Sequence, residues 1–260
     1  MDATKKYEIL RINEKGRNIE EDIVVVEYPL TIMLEGREII TLFCTPKSLR
    51  ELTIGFLYSE GYITSMKDLE KVTIDEENGL AHVFLADKAK KKIKSQSTGM
   101  NPKTGSSKGT DFKHLKEELY SKRITNRLEI DEQRLMDLMR TFSQSSDLFS
   151  STGGVHSCGL CDYQGIIFFE DDIGRHNAYD KIFGRALEQN IDLRDKFILT
   201  SGRISSEMLI KVIKRQIPMV VSKAAPMSLA VDMAKELNIT LVGFVRGEKM
   251  NIYTNIPKLK

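Results

Sequence analysis

At 260 residues, 41% hydrophobic and 29% charged, the chain has enough apolar material for one large core or two modest ones, which excludes disorder throughout. Thirty-nine basic residues against 37 acidic leave a formal charge of +2. That is too balanced for a whole surface that grips nucleic acid or anionic lipid, so any anion site must be local.

The first residues, MDATKKYEILRINEKG, carry charges where a signal peptide needs an apolar run, and no window approaches the ~20 apolar residues of a membrane span. The reading is a cytoplasmic protein with neither a membrane nor a nucleic-acid partner. From Ile23 to Phe43 short β-rich runs flank a turn at Glu35-Gly36, and they predict a small sheet. Thr45 as N-cap and Pro46 at the first position then predict a helix with Leu49, Leu52, Phe56 and Leu57 on its apolar stripe, ended by Gly61. Strands over Lys71 to Asp75 and Ala81 to Leu85 flank Asn78-Gly79, a dipeptide suited to a tight hairpin turn. These elements form an N-terminal α+β domain over 20–92.

Between Lys88 and Asp111 the composition turns to Lys, Ser, Gly and Thr with few large apolar residues, the mark of a connector. A lid over an anionic ligand is the sharper alternative. The connector and a following helix near Leu115 to Ser121 make up 93–127. The C-terminal α/β domain then spans 128–260, starting with a helix over Asp131 to Phe142.

From Val155 onward β-runs and helical patterns alternate. The strands are Ile166 to Glu170, Lys196 to Thr200, Met219 to Ser222 and Thr240 to Val245, with helices near Asn177 to Glu188, Ser205 to Arg215 and Met227 to Leu237. Such units imply a largely parallel sheet covered by helices. Met250 to Thr254 suits an edge strand, and Val155 to Cys161 suits a further strand joined to Ile166 to Glu170 by a hairpin through Asp162 to Gly165.

Ligands of open α/β sheets bind beyond the carboxyl ends of the strands. The segments there contain Arg175 and His176, Ser201 with Arg203, Lys223, and Arg246-Gly247-Glu248-Lys249. Cations converge on one rim, and Gly174, Gly202 and Gly247 let a ligand approach the backbone, a combination suited to phosphates. Solvated turns and caps account for any one segment alone. Neither a dinucleotide fingerprint nor a P-loop occurs.

Cys44, Cys158 and Cys161 are too few and too odd in number for a disulfide scaffold. Cys158 and Cys161 form C-x-x-C, a spacing shared by dithiol redox, half a zinc site and sulfur transfer through a persulfide. A zinc site drawing on His156, Cys158 and Cys161 lacks the H-x-E glutamate of nucleobase deaminases. On a strand, residues three apart face opposite sides, so at least one of the two cysteines is expected to pack inside. Cys44 reads as core.

LFCTPKSLRELTIGFLYSEGYI, STGGVHSCGLCD, EDDIGRHNAYDKIFG, ILTSGRISSEMLIK and VSKAAPMSLAVDMAKELNITLVGFVRGEKMNIYT together resemble the formate dehydrogenase accessory (FdhD/NarQ) family. The resemblance covers nearly all of the chain outside the connector. It implies sulfurtransferase activity, with sulfur accepted from a cysteine desulfurase as a persulfide and passed to molybdenum bis(molybdopterin guanine dinucleotide), for the maturation of formate dehydrogenase. It also implies a three-layer, cytidine-deaminase-like C-terminal fold, a guanine nucleotide-type ligand and a homodimer. By the same resemblance Phe244, Val245, Arg246, Gly247, Glu248 and Lys249 match the cofactor-binding stretch, and Arg175, His176, Ser201 and Arg203 fall in other shared motifs. One departure stands out: the family's C-G-x-C precedes the C-terminal domain, where this chain has Ser97-Thr98-Gly99-Met100. Its own Cys158 and Cys161 are then the candidates for the persulfide carrier. A cofactor-binding chaperone without sulfur transfer is the other reading.

Overall fold

A computed structural model describes residues 1–96, 123–129 and 131–256, with backbone only for 92–96. The predicted helix near Leu115 to Ser121 and the Ser97-to-Met100 segment lie outside the described residues. The chain opens with a hairpin of β1 (Thr4–Asn13) and β2 (Gly16–Val25), which sequence reasoning did not anticipate. Next come β3 (Tyr28–Leu34), β4 (Arg37–Cys44), α1 (Leu49–Glu60), β5 (Leu69–Asp75), β6 (Leu80–Leu85) and α2 (Asp87–Gln96). β3 to β6 form a four-stranded sheet in the order β4-β3-β6-β5. Its inward side chains Leu30, Ile32, Ala81 and Val83 pack with Leu52 and Leu57 of α1.

Two local expectations are corrected here. Thr45 does not cap α1, because its hydroxyl donates to the Asp171 carbonyl and accepts from Lys181 Nζ; Ser48 occupies the N-cap position with φ 51°. A tertiary contact has outbid a local one. The turn before β6 is also longer than a two-residue hairpin, since Asp75 pairs with Leu80; the left-handed position falls on Gly79 at φ 66°. The expected stop at Gly61 holds, with φ 85° and its N–H bonded back into the helix.

The second unit contains α3 (Glu132–Gln144), α4 (Asp147–Thr152), β7 (His156–Cys161), β8 (Ile166–Asp172), α5 (Arg175–Glu188), β9 (Phe197–Thr200), α6 (Ser206–Lys214), β10 (Met219–Ser222), α7 (Ser228–Leu237), β11 (Thr240–Arg246) and β12 (Lys249–Ile252). Their sheet order is β12-β11-β10-β9-β7-β8. β9, β10 and β11 are parallel, whereas β7 is inserted antiparallel between β9 and β8. The largely parallel sheet expected from alternation is therefore a three-strand parallel centre with antiparallel flanks. Alternation along each strand separates two cores. Leu160, Ile198, Val220 and Leu241 face α5, α6 and α7; Leu199, Val221, Val242 and Val245 face α3. The result is three layers, helix, sheet and helix. Among the described residues no helix is long and apolar enough to cross a membrane.

The two units meet through α1 and α5. They approach so closely that a Cβ on Gly55 would overlap the Asp180 carbonyl, and one on Gly184 the Glu51 carbonyl. Around this crossing the charges are matched. Lys181 and Asp172, both fully buried, pair at 2.7 Å. Lys211 pairs with Asp180 at 2.6 Å, which also accepts from Ser59 of α1. Asp172 takes the Thr45 N–H at 3.1 Å and the Asn177 amide at 2.8 Å, and that same amide donates to Phe43 O. The buried ions are thus fully hydrogen-bonded, the condition under which such pairs are tolerated.

Candidate functional site

β8, β9, β10 and β11 all point the same way, because β7 runs against both of its neighbours. Their carboxyl ends, and the amino end of β7, therefore lie along one edge of the sheet. Between this edge and helices α3 and α4 lies a cavity of about 830 Å³. Met136, Met139, Phe142 and Phe149 supply its apolar side, and His156, Ser201, Lys223 and Arg246 its polar side. Arg140, Ser157 and the backbone of Gly153, Gly154 and Gly247 complete the wall.

Serines hold the rim's backbone in place. Ser157 N donates to Ser201 Oγ at 2.9 Å, and Ser201 N returns to Ser157 O at 3.0 Å. Ser222 Oγ donates to Gly202 O at 2.8 Å while accepting from Ala224 N at 2.9 Å. Arg246 Nε donates to Lys223 O at 2.9 Å, tying the last strand's turn to the one before it. Ser146 caps α4 by accepting from Phe149 N, and its hydroxyl reaches Asp171 Oδ2 at 2.6 Å. The pocket is consequently built on fixed loops, as a preorganised anion site requires.

The rim's cations differ from those at the α1–α5 crossing. Among the described residues no carboxylate pairs with Arg175, Arg203, Lys223 or Arg246. The Nε of Arg175 is buried without a hydrogen-bond partner. His156 sits between the pocket and the arginines: a Cβ on Gly202 would lie 3.5 Å from Arg175 carbons and 3.6 Å from His156 Nδ1. Burial, followed by the charges of Arg175 and Arg203, holds the His156 imidazole below its ordinary pKa. A ring held toward its neutral form by burial and by neighbouring cations marks a local excess of positive charge.

Of the residues singled out from sequence, Ser201, Val245, Arg246 and Gly247 line the cavity, and Arg175 and Arg203 act on its His156. His176 turns away toward Glu207 on α6, at 3.5 Å. Glu248 lies exposed in the β11–β12 turn and Lys249 exposed at the start of β12, and neither lines the cavity. Phe244 does not line it either; it sits at a bulge with φ 55° and an exposed ring.

The cysteines are placed apart. Cys158 joins the core under α5, α6 and α7, whereas Cys161 joins the core under α3, so the two thiols face opposite sides of the sheet. Neither is exposed. Burial raises both thiol pKa values, and Cys44 is likewise buried and pushed up to about 12. In this packing none is a thiolate nucleophile. Their separation also prevents Cys158, Cys161 and His156 from sharing one metal.

Sequence reasoning missed the α3–α4 wall. It read α3 as a helix, and Asp131 does cap it by accepting from Gln133 N and Arg134 N. Nothing local showed that Arg140 and Phe142 would face the rim. His156 was noticed only as a zinc candidate, although its position at the start of β7 puts it on the same edge as the strand ends.

The pattern of the FdhD/NarQ family matches residues 25–260. "Sulfur carrier protein FdhD" from Bacillus pumilus is 44% identical over 261 residues, covering 99% of this chain and 98% of that one. The protein of the same name from Listeria innocua is 38% identical over 262 residues, with all of both chains covered. A crystal structure described as "a putative formate dehydrogenase accessory protein" from Desulfotalea psychrophila superposes with a TM-score of 0.79 at 26% identity, covering 99% of each chain.

Proposed function

The chain belongs to the FdhD/NarQ family, and from that premise we propose that it is a cytoplasmic accessory protein for formate dehydrogenase maturation. In this reading it holds molybdenum bis(molybdopterin guanine dinucleotide) as substrate at the cationic pocket and takes part in transferring sulfur to it from a cysteine desulfurase. The observation that carries the cofactor-holding step is a set of cations without carboxylate partners among the described residues, Lys223 and Arg246 on the wall of a cavity of about 830 Å³ and Arg175 and Arg203 acting on its His156. Guanidinium groups and lysine suit pyrophosphate oxygens, and the backbone of Gly247 admits close approach. The apolar wall of Met136, Met139, Phe142 and Phe149 suits a planar heterocycle such as a pterin or guanine. A cytidine-deaminase-like layering is what the family resemblance implies for the three-layer unit.

Sulfur transfer is supported by the relatives' names, "Sulfur carrier protein FdhD". If Cys158 or Cys161 is the carrier, the thiolate accepts the terminal sulfur of a desulfurase persulfide and the desulfurase recovers its own thiolate. That attack needs the thiol exposed, which requires the packing around β7 to open. The burial of both cysteines therefore favours a second reading, a family member that binds and delivers cofactor without carrying sulfur on either.

The test is intact-protein mass spectrometry after incubation with a cysteine desulfurase and cysteine, paired with restoration of formate dehydrogenase activity in cells lacking their own family member. The sulfur-carrying reading expects an adduct of one sulfur atom that is lost in Cys158→Ala or Cys161→Ala, with loss of restored activity. Full restoration by the double variant, with no adduct, establishes the second reading. Failure of the wild-type chain to restore activity overturns both.

A further inference from the structure

Two neighbouring carboxylates end β8, and among the described residues only one of them has a cation. Asp172 is paired with Lys181 at 2.7 Å. Asp171 is in no such pair: its Oδ2 accepts from the Ser146 hydroxyl at 2.6 Å, and its Oδ1 is buried with no hydrogen-bond partner. Burial raises its pKa, against the pull of Ser146 and Ser157 and of Lys181 and Lys47. A half-satisfied buried carboxylate costs the fold free energy. Its charge also stands opposite the pocket-lining Ser157 in the strand register, where it opposes the binding of any anion. Neither stability nor attraction of a ligand accounts for it.

What this carboxylate does is hold a wall. Ser146, buried between α3 and α4, caps α4 by accepting from Phe149 N at 2.9 Å, so its one hydroxyl ties the helix's first turn to the end of β8. The hydroxyls of Ser150, Ser151 and Thr152 turn back onto carbonyls one turn earlier. Among the described residues, then, no other hydroxyl on α4 reaches the sheet. A six-residue helix has little stability of its own. Asp171 is itself fixed, because its carbonyl accepts from Thr45 Oγ at 3.3 Å and from Lys181 Nζ at 3.0 Å, both part of the α1–α5 seam.

We propose that Asp171 is a positioning residue of the pocket: through Ser146 it holds the first turn of α4, and with it Phe149, in the place that a ligand's heterocycle occupies against the apolar wall. Asp171 touches no ligand, since Ser146, Phe149 and Ser157 line the cavity and Asp171 does not. The proposal rests on the reading of the pocket as a site for a phosphate-bearing heterocycle, and it divides that ligand in two. The phosphates meet cations on the strand edge, which Asp171 does not hold. The ring meets the α3–α4 wall, which it does. A bystander charge predicts the reverse, because removing it would strengthen the binding of every anion.

Calorimetric titration of the full chain with guanosine diphosphate and, separately, with inorganic pyrophosphate tests this. Asp171→Ala is expected to weaken guanosine diphosphate by about tenfold or more, with pyrophosphate bound no more weakly than by the wild type. Asp171→Asn keeps a carbonyl oxygen for Ser146, and is expected to stay within about threefold of wild type. Ser146→Gly retains a tolerated cap residue and is expected to reproduce the loss. The Asp171→Ala/Ser146→Gly double variant should lose no more than either single one, as two members of one contact do. Ser146→Gly decides the matter if Asp171→Ala does not fold. Unchanged or tighter guanosine diphosphate binding by Asp171→Ala, equal losses for both ligands, or additive losses in the double variant overturn the proposal. A wild type that binds neither ligand overturns the pocket reading with it, whereas wild-type binding that survives these variants overturns this proposal alone.

Discussion

Two groups of cations come together around α5, one at its first residue and the other along its crossing with α1, and they are treated in opposite ways. At the crossing with α1, Lys181 and Lys211 are locked to Asp172 and Asp180, and Arg185 to Glu170 at 3.0 Å. At the helix's first residue, Arg175 has a buried Nε without a hydrogen-bond partner among the described residues, where Arg203, Lys223 and Arg246 likewise lack carboxylates. The seam satisfies its charges internally because it holds two units together. The rim leaves its charges open, and positive groups clustered without counter-charge cost the fold electrostatic repulsion. A ligand anion is what would offset that cost, and this contrast supports the proposal that one cluster is structural and the other binds.

The largest effect expected from breaking the contrast is at the seam. Lys181→Met leaves Asp172 buried without its ion, and should lower stability by about 3–5 kcal/mol, read from denaturant unfolding. Cys158→Ala should cost about 1–2 kcal/mol as a small core cavity, with affinity for phosphate-bearing ligands unchanged. A greater loss of affinity than of stability would tie that thiol to the pocket. Smaller again is a pH effect. His156 and His176 both have folded pKa values below the ordinary 6.5, burial being the main cause. Between the folded and unfolded values the unfolded chain binds more protons, so stability present above about pH 6.5 is lost as pH falls. His156→Asn should flatten part of that slope, and bound phosphate should raise the His156 pKa, followed by imidazole NMR shifts. The smallest effect is at the rim. Arg175→Ala/Lys223→Ala/Arg246→Ala relieves repulsion among the cations but gives up the Arg246–Lys223 O hydrogen bond, opposed effects that should leave stability changed by no more than about 1 kcal/mol.

The alternation from β8 to β12 was legible because buried apolar strands and half-buried helices differ in period, and α5, α6 and α7 lie within two residues of where that pattern puts them. The rim followed from it. The insertion of β7 between β8 and β9 did not, since strand pairing is a nonlocal choice that periodicity does not encode. The N-terminal hairpin escaped because in TKKYEILRIN the apolar residues fall on both faces of the strand, Tyr7 and Ile9 on one and Leu10 and Ile12 on the other, and so give no clean period-two signal. Thr45-Pro46 misled for a similar reason: a good local cap was claimed instead by Lys181, 136 residues away. On a strand, the spacing of Cys158 and Cys161 already placed them on opposite faces, and their membership of separate cores agrees.

The most direct test of the central claim is calorimetric titration of the full chain with guanosine diphosphate, for wild type and the Arg175→Ala/Lys223→Ala/Arg246→Ala variant at two salt concentrations. The account predicts wild-type binding that weakens with salt and falls at least a hundredfold in the variant, each charge-assisted contact contributing about 1.5–3 kcal/mol. Equal affinity in both proteins, or no binding by the wild type, would contradict it.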